Sequence, residues 1–237
     1  MGNADSSKET LWRHPGQGFW NYHLIEVLVF LFLIVPSLVF SFLASGLGRL
    51  GFTSVAFATI VRDLALVSLV FYFIWRNGES LRHLGWTWNN GWRELALGLF
   101  LFLPFTFGAN YLESFLQQAG LSVPPKPPPF LLVQGLPEIV LGFILVIIVA
   151  LAEETIFRGY LLLRFQGARM GPLAAALLAS VIFALGHGYE GAAGVITVGF
   201  MGLVFALVYL WRGSLVAPVL MHFLQDFSSL VLSALLK

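Results

Sequence analysis

The chain has 237 residues, of which 58% are hydrophobic and 11% charged, and its mean hydropathy is +0.86. Soluble domains carry about 25% charged and about 45–50% apolar residues, so this composition excludes a soluble globular protein. A net charge of +1 argues for no particular partner, and no basic patch suggests nucleic acid. The absence of cysteine excludes disulfides, a thiolate nucleophile and a sulfur-ligated metal. The composition indicates a polytopic membrane protein whose surroundings are the lipid bilayer.

Seven apolar stretches qualify as bilayer-crossing helices, which need about 20 mostly apolar residues. They cover residues 24–44, 54–75, 94–114, 138–163, 172–188, 192–211 and 214–235. No stretch shows the alternation of a barrel strand, so we predict an all-α, polytopic transmembrane helical bundle of about seven spanning helices. The tight turn "GHGYEGAAG" after the fifth stretch leaves eight spans as the alternative.

The sequence divides into four parts: a polar N-terminal tail (1–23), a three-helix membrane region (24–114), a proline-rich linker (115–137) and a second membrane domain (138–235). The first apolar run is longer than the h-region of a signal peptide, about 7–15 residues, which predicts a retained first helix. Five prolines in "VPPKPPPF" favour a stiff extended chain. A spacer between bundle halves is therefore preferred to a substrate-binding element.

The distribution of basic residues predicts the orientation, because cytoplasmic loops carry an excess of Lys and Arg. One side of the predicted bundle holds eight of them, namely Lys8, Arg13, Arg76, Arg82, Arg93, Arg164, Arg169 and Arg212. The other side holds three, namely Arg49, Lys126 and Lys237. We therefore expect a cytoplasmic N-terminus, and for a bacterial source the inner (cytoplasmic) membrane.

The fourth stretch, "IIVALAEETIFRGYLLL", carries three charges within an apolar helix. An ionisable residue at membrane depth is costly to bury and is a functional hypothesis by default. Glu154 and Arg158 are four residues apart, which places them on one helix face and predicts an ion pair. Glu153 points about 100° away from Glu154 on a regular helix. It is the carboxylate left free for chemistry.

Two other stretches supply possible partners for Glu153. The fifth ends in "SVIFALGHG" with His187, and the seventh contains "APVLMHFLQDF" with His222 and Asp226 on one face. Such groups in an apolar setting resemble a water-activating hydrolytic site, with a glutamate base and an oxyanion-stabilising side. Glu153, His187 and His222 are equally ordinary Zn²⁺ ligands. Residue types alone leave both mechanisms open.

Other buried charges are expected to be structural. Adjacent positions on a helix do not face each other, so Arg62 and Asp63 in the second stretch should each pair with another helix as support. Glu26, Glu113 and Glu138 lie near span ends, where solvation is easy, and receive no role.

Helix depth gives one inconsistent result. Counting about 1.5 Å per residue from the predicted cytoplasmic ends places Glu153 and His222 roughly 12–15 Å deep. The same count places His187 nearer about 22 Å. The disagreement indicates an error in the predicted span boundaries.

Three motifs resemble those of a known family. "EETIFR" (153–158), "FALGH" (183–187) and "HFLQD" (222–226) are similar to the EExxxR, FxxxH and HxxxN/D motifs of the CPBP group. This group contains the type II CAAX prenyl endopeptidases and the bacteriocin-processing or immunity proteins, also called the Abi family. Each motif is weak alone, whereas all three in order on separate helices are specific. The resemblance covers roughly residues 138–235.

The resemblance implies an intramembrane endopeptidase with assigned roles for four residues. Glu153 would activate water, His187 would help to position that water, and His222 with Asp226 would form the oxyanion side. Many relatives have asparagine in place of Asp226. An aspartate donates to an oxyanion only when protonated, or else it orients His222 through a hydrogen bond.

The resemblance also implies a supporting pair, a cofactor preference and a substrate class. Glu154 and Arg158 would brace the site. The metal-free, glutamate-based scheme is preferred, so no cofactor is expected, with Zn²⁺ held by Glu153, His187 and His222 as the alternative. The substrate would be a peptide or lipidated protein. Two other functions remain open: non-catalytic binding or immunity, and proton-coupled transport through a Glu, His and Asp relay.

Overall fold

The computed structural model describes residues 17–44, 50–88 and 90–236, and its regular structure is entirely helical. The helices are α1 (Gln17–Leu43), α2 (Phe52–Arg76), α3 (Gly91–Gln118), α4 (Gly135–Gly167), α5 (Pro172–Leu185), α6 (Gly191–Arg212) and α7 (Val216–Leu235). No strand occurs in these ranges, which confirms the all-α bundle. Most of the predicted tail 1–23 lies outside the described residues, including Lys8 and Arg13. Arg49 and Lys237 also lie outside them.

The number of spans is close to the predicted seven. Six described helices are long and apolar enough to cross a membrane, which makes this a multi-pass membrane protein. Helix α5 has 14 residues. Its length of about 21 Å is shorter than the hydrocarbon core of about 30 Å. The predicted fifth span, 172–188, is therefore wrong at its end, because the helix stops at Leu185 and His187 lies in the turn that follows.

The length of α4 explains the inconsistent depths of Glu153 and His187. The helix has 33 residues and ends at Gly167, four positions beyond the predicted 138–163. Glu153 thus lies about 21 Å from the C-terminal end of α4, which equals the length of α5. Because only the turn 168–171 joins the two helices, Glu153 and His187 reach a similar depth.

Two helices change their hydrogen-bonding pattern beside the predicted site residues. Residues Glu154–Leu161 of α4 and Phe227–Leu232 of α7 are π-helical, with i→i+5 bonds. Short π segments inside α-helices are rare and are found frequently at functional sites. One segment begins directly after Glu153 and the other directly after Asp226. The sequence predicts regular α geometry at both places, so neither segment was expected.

The helices pack around two buried apolar clusters. Helix α6 lies along α5, α3 lies along α7, and α2 lies along α4. The larger cluster joins α1, α2, α4 and α5 and includes Phe30, Ile74 and Tyr160. The smaller joins α3, α6 and α7 around Phe205 and Met221. Large apolar side chains on the outer faces remain exposed, as expected for helices surrounded by lipid.

A buried charge network anchors the C-terminal end of α4. Arg164 donates to both carboxylate oxygens of Glu79, at 2.8 and 2.6 Å, and its Nε lies 3.4 Å from Glu26. Glu26 also accepts from Arg76 and from Asn77. Glu26 was expected to be solvated and received no role, but it is 3% exposed. It connects α1 to α2 and α4.

Close approach to α4 depends on a glycine. A Cβ atom at Gly159 would lie 2.9 Å from the carbonyl oxygen of Leu84 and 3.2 Å from its Cβ. The turn Leu81–Leu84 therefore packs directly on the π segment of α4.

We expect Gly159→Ala to lower the melting temperature in detergent, because overpacking costs about 1–3 kcal/mol. The control is Gly108→Ala in α3, where a Cβ meets nothing within 4 Å. That change should leave the melting temperature unchanged or raise it, since alanine is the better helix former. Equal melting temperatures for the two variants would contradict the close contact with Leu84.

Candidate active site

One cavity of about 630 Å³ collects the four predicted catalytic residues. Its wall includes Glu153 of α4, His187 of the turn after α5, and His222 and Asp226 of α7. The predicted supporting residues, Glu154 and Arg158, lie behind this wall and are 0% and 1% exposed. The structure therefore separates a group that faces the cavity from a pair that is enclosed by protein.

The enclosed pair is joined as its spacing predicts. Arg158 Nη1 donates to Glu154 Oε1 over 2.8 Å, and Nη2 donates to the carbonyl oxygen of Gly202 over 3.1 Å. The guanidinium lies over the Phe183 ring, 4.4 Å from its centroid, in a cation–π contact. A Cβ at Gly202 would lie 3.0 Å from Arg158 Nη2, so only a glycine in α6 admits the arginine without displacement.

His222 is held by the same glutamate. Its Nδ1 lies 2.8 Å from Glu154 Oε1, which assigns Nδ1–H as the donor to the carboxylate. The ring stacks on Phe205, with centroids 5.6 Å apart. Nε2 is then directed at the other carboxylates, 3.4 Å from Asp226 Oδ2 and 3.9 Å from Glu153 Oε2. The contact between Glu154 and His222 was not predicted, since no local spacing signals a pair 68 positions apart.

Glu153 is half-buried and is less engaged than its neighbour Glu154. Its Oε1 lies 3.6 Å from Arg62 Nη2, and its Oε2 lies 3.9 Å from His222 Nε2. Oε2 is buried, and no protein donor among the described residues forms a hydrogen bond with it. Glu153 also lines the cavity, so its carboxylate is available to accept a proton from a molecule there.

His187 faces the cavity from a turn that α1 holds in place. Ser41 Oγ donates to the carbonyl oxygen of Leu185 (2.8 Å) and accepts from the N–H of Gly188 (3.2 Å). His187 Nδ1 lies 3.2 Å from the carbonyl oxygen of Phe183. No hydrogen bond or ion pair in the described part of the chain joins His187 to Glu153. The two line one cavity without touching.

The predicted pairing with another helix occurs for Arg62, which reaches Glu153 of α4, and does not occur for Asp63. Asp63 Oδ1 accepts from Arg62 Nε over 2.8 Å and lies 2.7 Å from Nη2, so these neighbours pair with each other. The prediction that each meets another helix considered only the directions of the Cβ atoms, whereas the long arginine side chain folds back on its neighbour. Arg62 then extends toward Glu153, which brings a pair interpreted as structural support to the edge of the site.

The proline-rich linker forms another part of the cavity wall. Pro127, Phe130 and Leu131 line the cavity, and Phe130 is buried with its ring 5.5 Å from that of Tyr189. The interpretation of the linker as a spacer does not account for these contacts. Proline content alone indicates stiffness and leaves the position of the linker undetermined.

The alternative zinc ligands do not form a metal site in this structure. Within the described residues, no group of three or more His, Cys, Asp or Glu side chains is arranged to hold a metal ion. Nδ1 of His222 is bonded to Glu154, and Nδ1 of His187 lies against a backbone carbonyl. Glu153, His187 and His222 therefore do not fit zinc as they stand, and no step is derived through a metal.

Residues 135–228 match a family model described as "Type II CAAX prenyl endopeptidase Rce1-like". We call this segment the Rce1-like domain, after the model that it matches. It runs from the start of α4 into the second π segment and contains all six predicted site residues. The match confirms the resemblance found in the three motifs, and at family level it supports a CAAX-type intramembrane protease. Searches of curated proteins and of solved structures gave no match.

We expect Glu154→Gln in the Rce1-like domain to lower the melting temperature and any enzymatic activity. The change leaves the enclosed Arg158 without its counter-charge, and breaking a buried pair costs about 3–5 kcal/mol. The control is Glu138→Gln on the same helix, where the carboxylate is partly exposed and accepts from Thr53 and from the backbone N–H of Gln134. If Glu154→Gln had the same melting temperature as the wild type in a detergent thermal scan, the bracing role would be wrong.

Proposed function

We propose that this protein is an intramembrane endopeptidase of the CAAX prenyl protease type that cleaves a peptide bond with water activated by Glu153. The observation that carries the proposal is the Glu153 side chain, which lines the cavity and whose Oε2 has no hydrogen-bond donor among the described residues. A base must lie within hydrogen-bonding reach of the proton that it abstracts. Water that enters this cavity meets that condition at the Glu153 carboxylate, which forms part of the cavity wall.

Attack on the substrate uses the groups on both sides of the cavity. Glu153 takes one proton from water, and the resulting hydroxide adds to the carbonyl carbon of the scissile peptide. Because Nδ1–H of His187 is placed to donate to the carbonyl oxygen of Phe183, its Nε2 is the nitrogen available to orient the water. The negative charge moves to the carbonyl oxygen and forms an oxyanion.

Stabilisation of the oxyanion is assigned to His222, with Asp226 beside it. His222 lies between the carboxylates of Glu154 and Asp226, and a protonated imidazole there donates from both nitrogens. Nδ1 remains on Glu154 while Nε2–H turns to the oxyanion, an interaction that grows as charge develops in the transition state. Asp226 in this scheme orients His222 and does not itself donate.

Collapse of the intermediate completes the reaction. The carbonyl forms again, the C–N bond breaks, and the proton held by Glu153 passes to the leaving nitrogen. One water is consumed, giving a new carboxyl group and a new amine. Glu153 returns to its ionised form without any external oxidant or cofactor.

The substrate that fits this cavity carries an apolar portion. Much of the wall away from the polar groups is apolar, including Ile34, Leu38, Phe52, Val55 and Val146. Such a surface suits a membrane-embedded peptide or a peptide with a lipid chain, and the family description supports a prenylated C-terminal motif. A cytoplasmic N-terminus, and the inner membrane for a bacterial source, belong to the same proposal.

We expect Glu153→Gln to lower kcat on a farnesylated peptide ending in a CAAX motif by about 10²–10⁴-fold, because the general base is lost. The assay uses purified protein in lipid nanodiscs and a quenched fluorescent peptide, with the unprenylated peptide in parallel. Glu138→Gln on the same helix should retain activity. If the Glu153→Gln variant still cleaved the peptide, the assignment of Glu153 as the base would be wrong. If the wild-type protein bound the peptide without cleaving it, the result would favour a binding or immunity role.

We expect exhaustive chelation to leave cleavage intact, because the scheme uses only side chains and water. The measurement compares initial rates after dialysis against chelator with rates after zinc is restored. Activity lost on chelation and recovered with zinc would replace the metal-free scheme by the zinc alternative.

A further inference from the structure

A cation from outside the Rce1-like domain lies beside the proposed base. Arg62 belongs to α2, and its Nη2 is 3.6 Å from Glu153 Oε1. The Arg62 side chain is 38% exposed and lines the cavity. No step of the proposed reaction uses it.

Asp63 determines where this guanidinium points. The aspartate side chain is 1% exposed, and its Oδ1 engages both Nε and Nη2 of Arg62. A two-point contact with a planar guanidinium fixes its orientation more strongly than a single bond does. Helix α2 packs along α4, so the arginine is held at a set distance from Glu153.

A direct role in binding the C-terminus of a substrate is disfavoured by distance. An extended peptide advances about 3.3 Å per residue. A carboxylate three residues beyond the scissile bond would thus lie about 10 Å from it. Arg62 Nη2 is too close to Glu153 to occupy that position. Its nearest partner across the helix interface is the base itself.

We propose that Arg62, held by Asp63, is a positioning residue that orients the Glu153 carboxylate for catalysis. The guanidinium attracts Oε1, which leaves Oε2 as the oxygen directed toward His222. A carboxylate restrained at one oxygen presents the other in a constant place, and misplacement by 1 Å can cost about 100-fold in rate. This inference rests on the proposed function of Glu153, and it assigns part of the site to α2.

The kinetic test compares Arg62→Gln, Arg62→Lys and Asp63→Asn on the farnesylated peptide in nanodiscs, with rates normalised to folded protein. We expect Arg62→Gln to lower kcat by about 100-fold while KM changes little, because ground-state binding is untouched. Arg62→Lys keeps the charge without the two-point contact and should recover part of kcat. The kcat of Asp63→Asn should lie between those of Arg62→Lys and the wild type.

The control is Arg212→Gln, which removes another arginine–carboxylate pair, that with Glu94, away from the cavity. It should leave kcat unchanged. If Arg62→Gln retained the wild-type kcat while Glu153→Gln was inactive, the positioning role would be refuted and the proposed function would stand. If Glu153→Gln remained active, the proposed function itself would fail.

A second measurement does not depend on cleavage. Melting temperatures of Arg62→Gln, Glu153→Gln and the double variant form a cycle that reports whether the two side chains interact. We expect a non-additive shift for this pair and an additive one for Arg212→Gln combined with Glu153→Gln. Additive shifts in the first cycle would overturn the inference whether or not the peptide is cut.

Discussion

The rest of the site depends on one fully enclosed carboxylate, that of Glu154. Its Oε1 accepts from Arg158 and from His222, each at 2.8 Å, so a single oxygen joins α4 to α7. Arg158 continues the connection to the backbone of Gly202 in α6. A charge buried away from water is tolerated only when paired and hydrogen-bonded. Displacing any of these three helices would therefore expose an unpaired charge, which restrains their relative positions.

Two adjacent glutamates have different surroundings because neighbouring positions on a helix point about 100° apart. Glu154 lies among its partners in α6 and α7, while Glu153 is at the cavity. Glu154 has strong donors, whereas Glu153 has only neighbours at 3.6 and 3.9 Å. Strong donors make a carboxylate a structural anchor, and their absence leaves it free to exchange protons. Of these two neighbours, Glu154 therefore supports the structure and Glu153 is the proposed base.

Helices outside the Rce1-like domain complete the surroundings of the site. Ser41 of α1 binds both sides of the turn that carries His187. Arg62 and Asp63 of α2 lie beside Glu153, and the proline-rich linker adds Phe130 to the cavity wall. The matched segment 135–228 contains the side chains that take part in the proposed reaction. Groups that hold some of them in place lie elsewhere in the chain.

The sequence by itself determined the helical class and the local pairs. Apolar stretches of membrane length predict helices, and i,i+4 spacing predicts that Glu154 meets Arg158 and that His222 meets Asp226. Only the tertiary structure decided that His222 binds Glu154, that Arg62 folds onto Asp63 and approaches Glu153, and where α4 and α5 end. Periodicity relates residues within one helix, whereas contacts between helices depend on packing, on long side-chain conformations and on π segments that no local pattern announces.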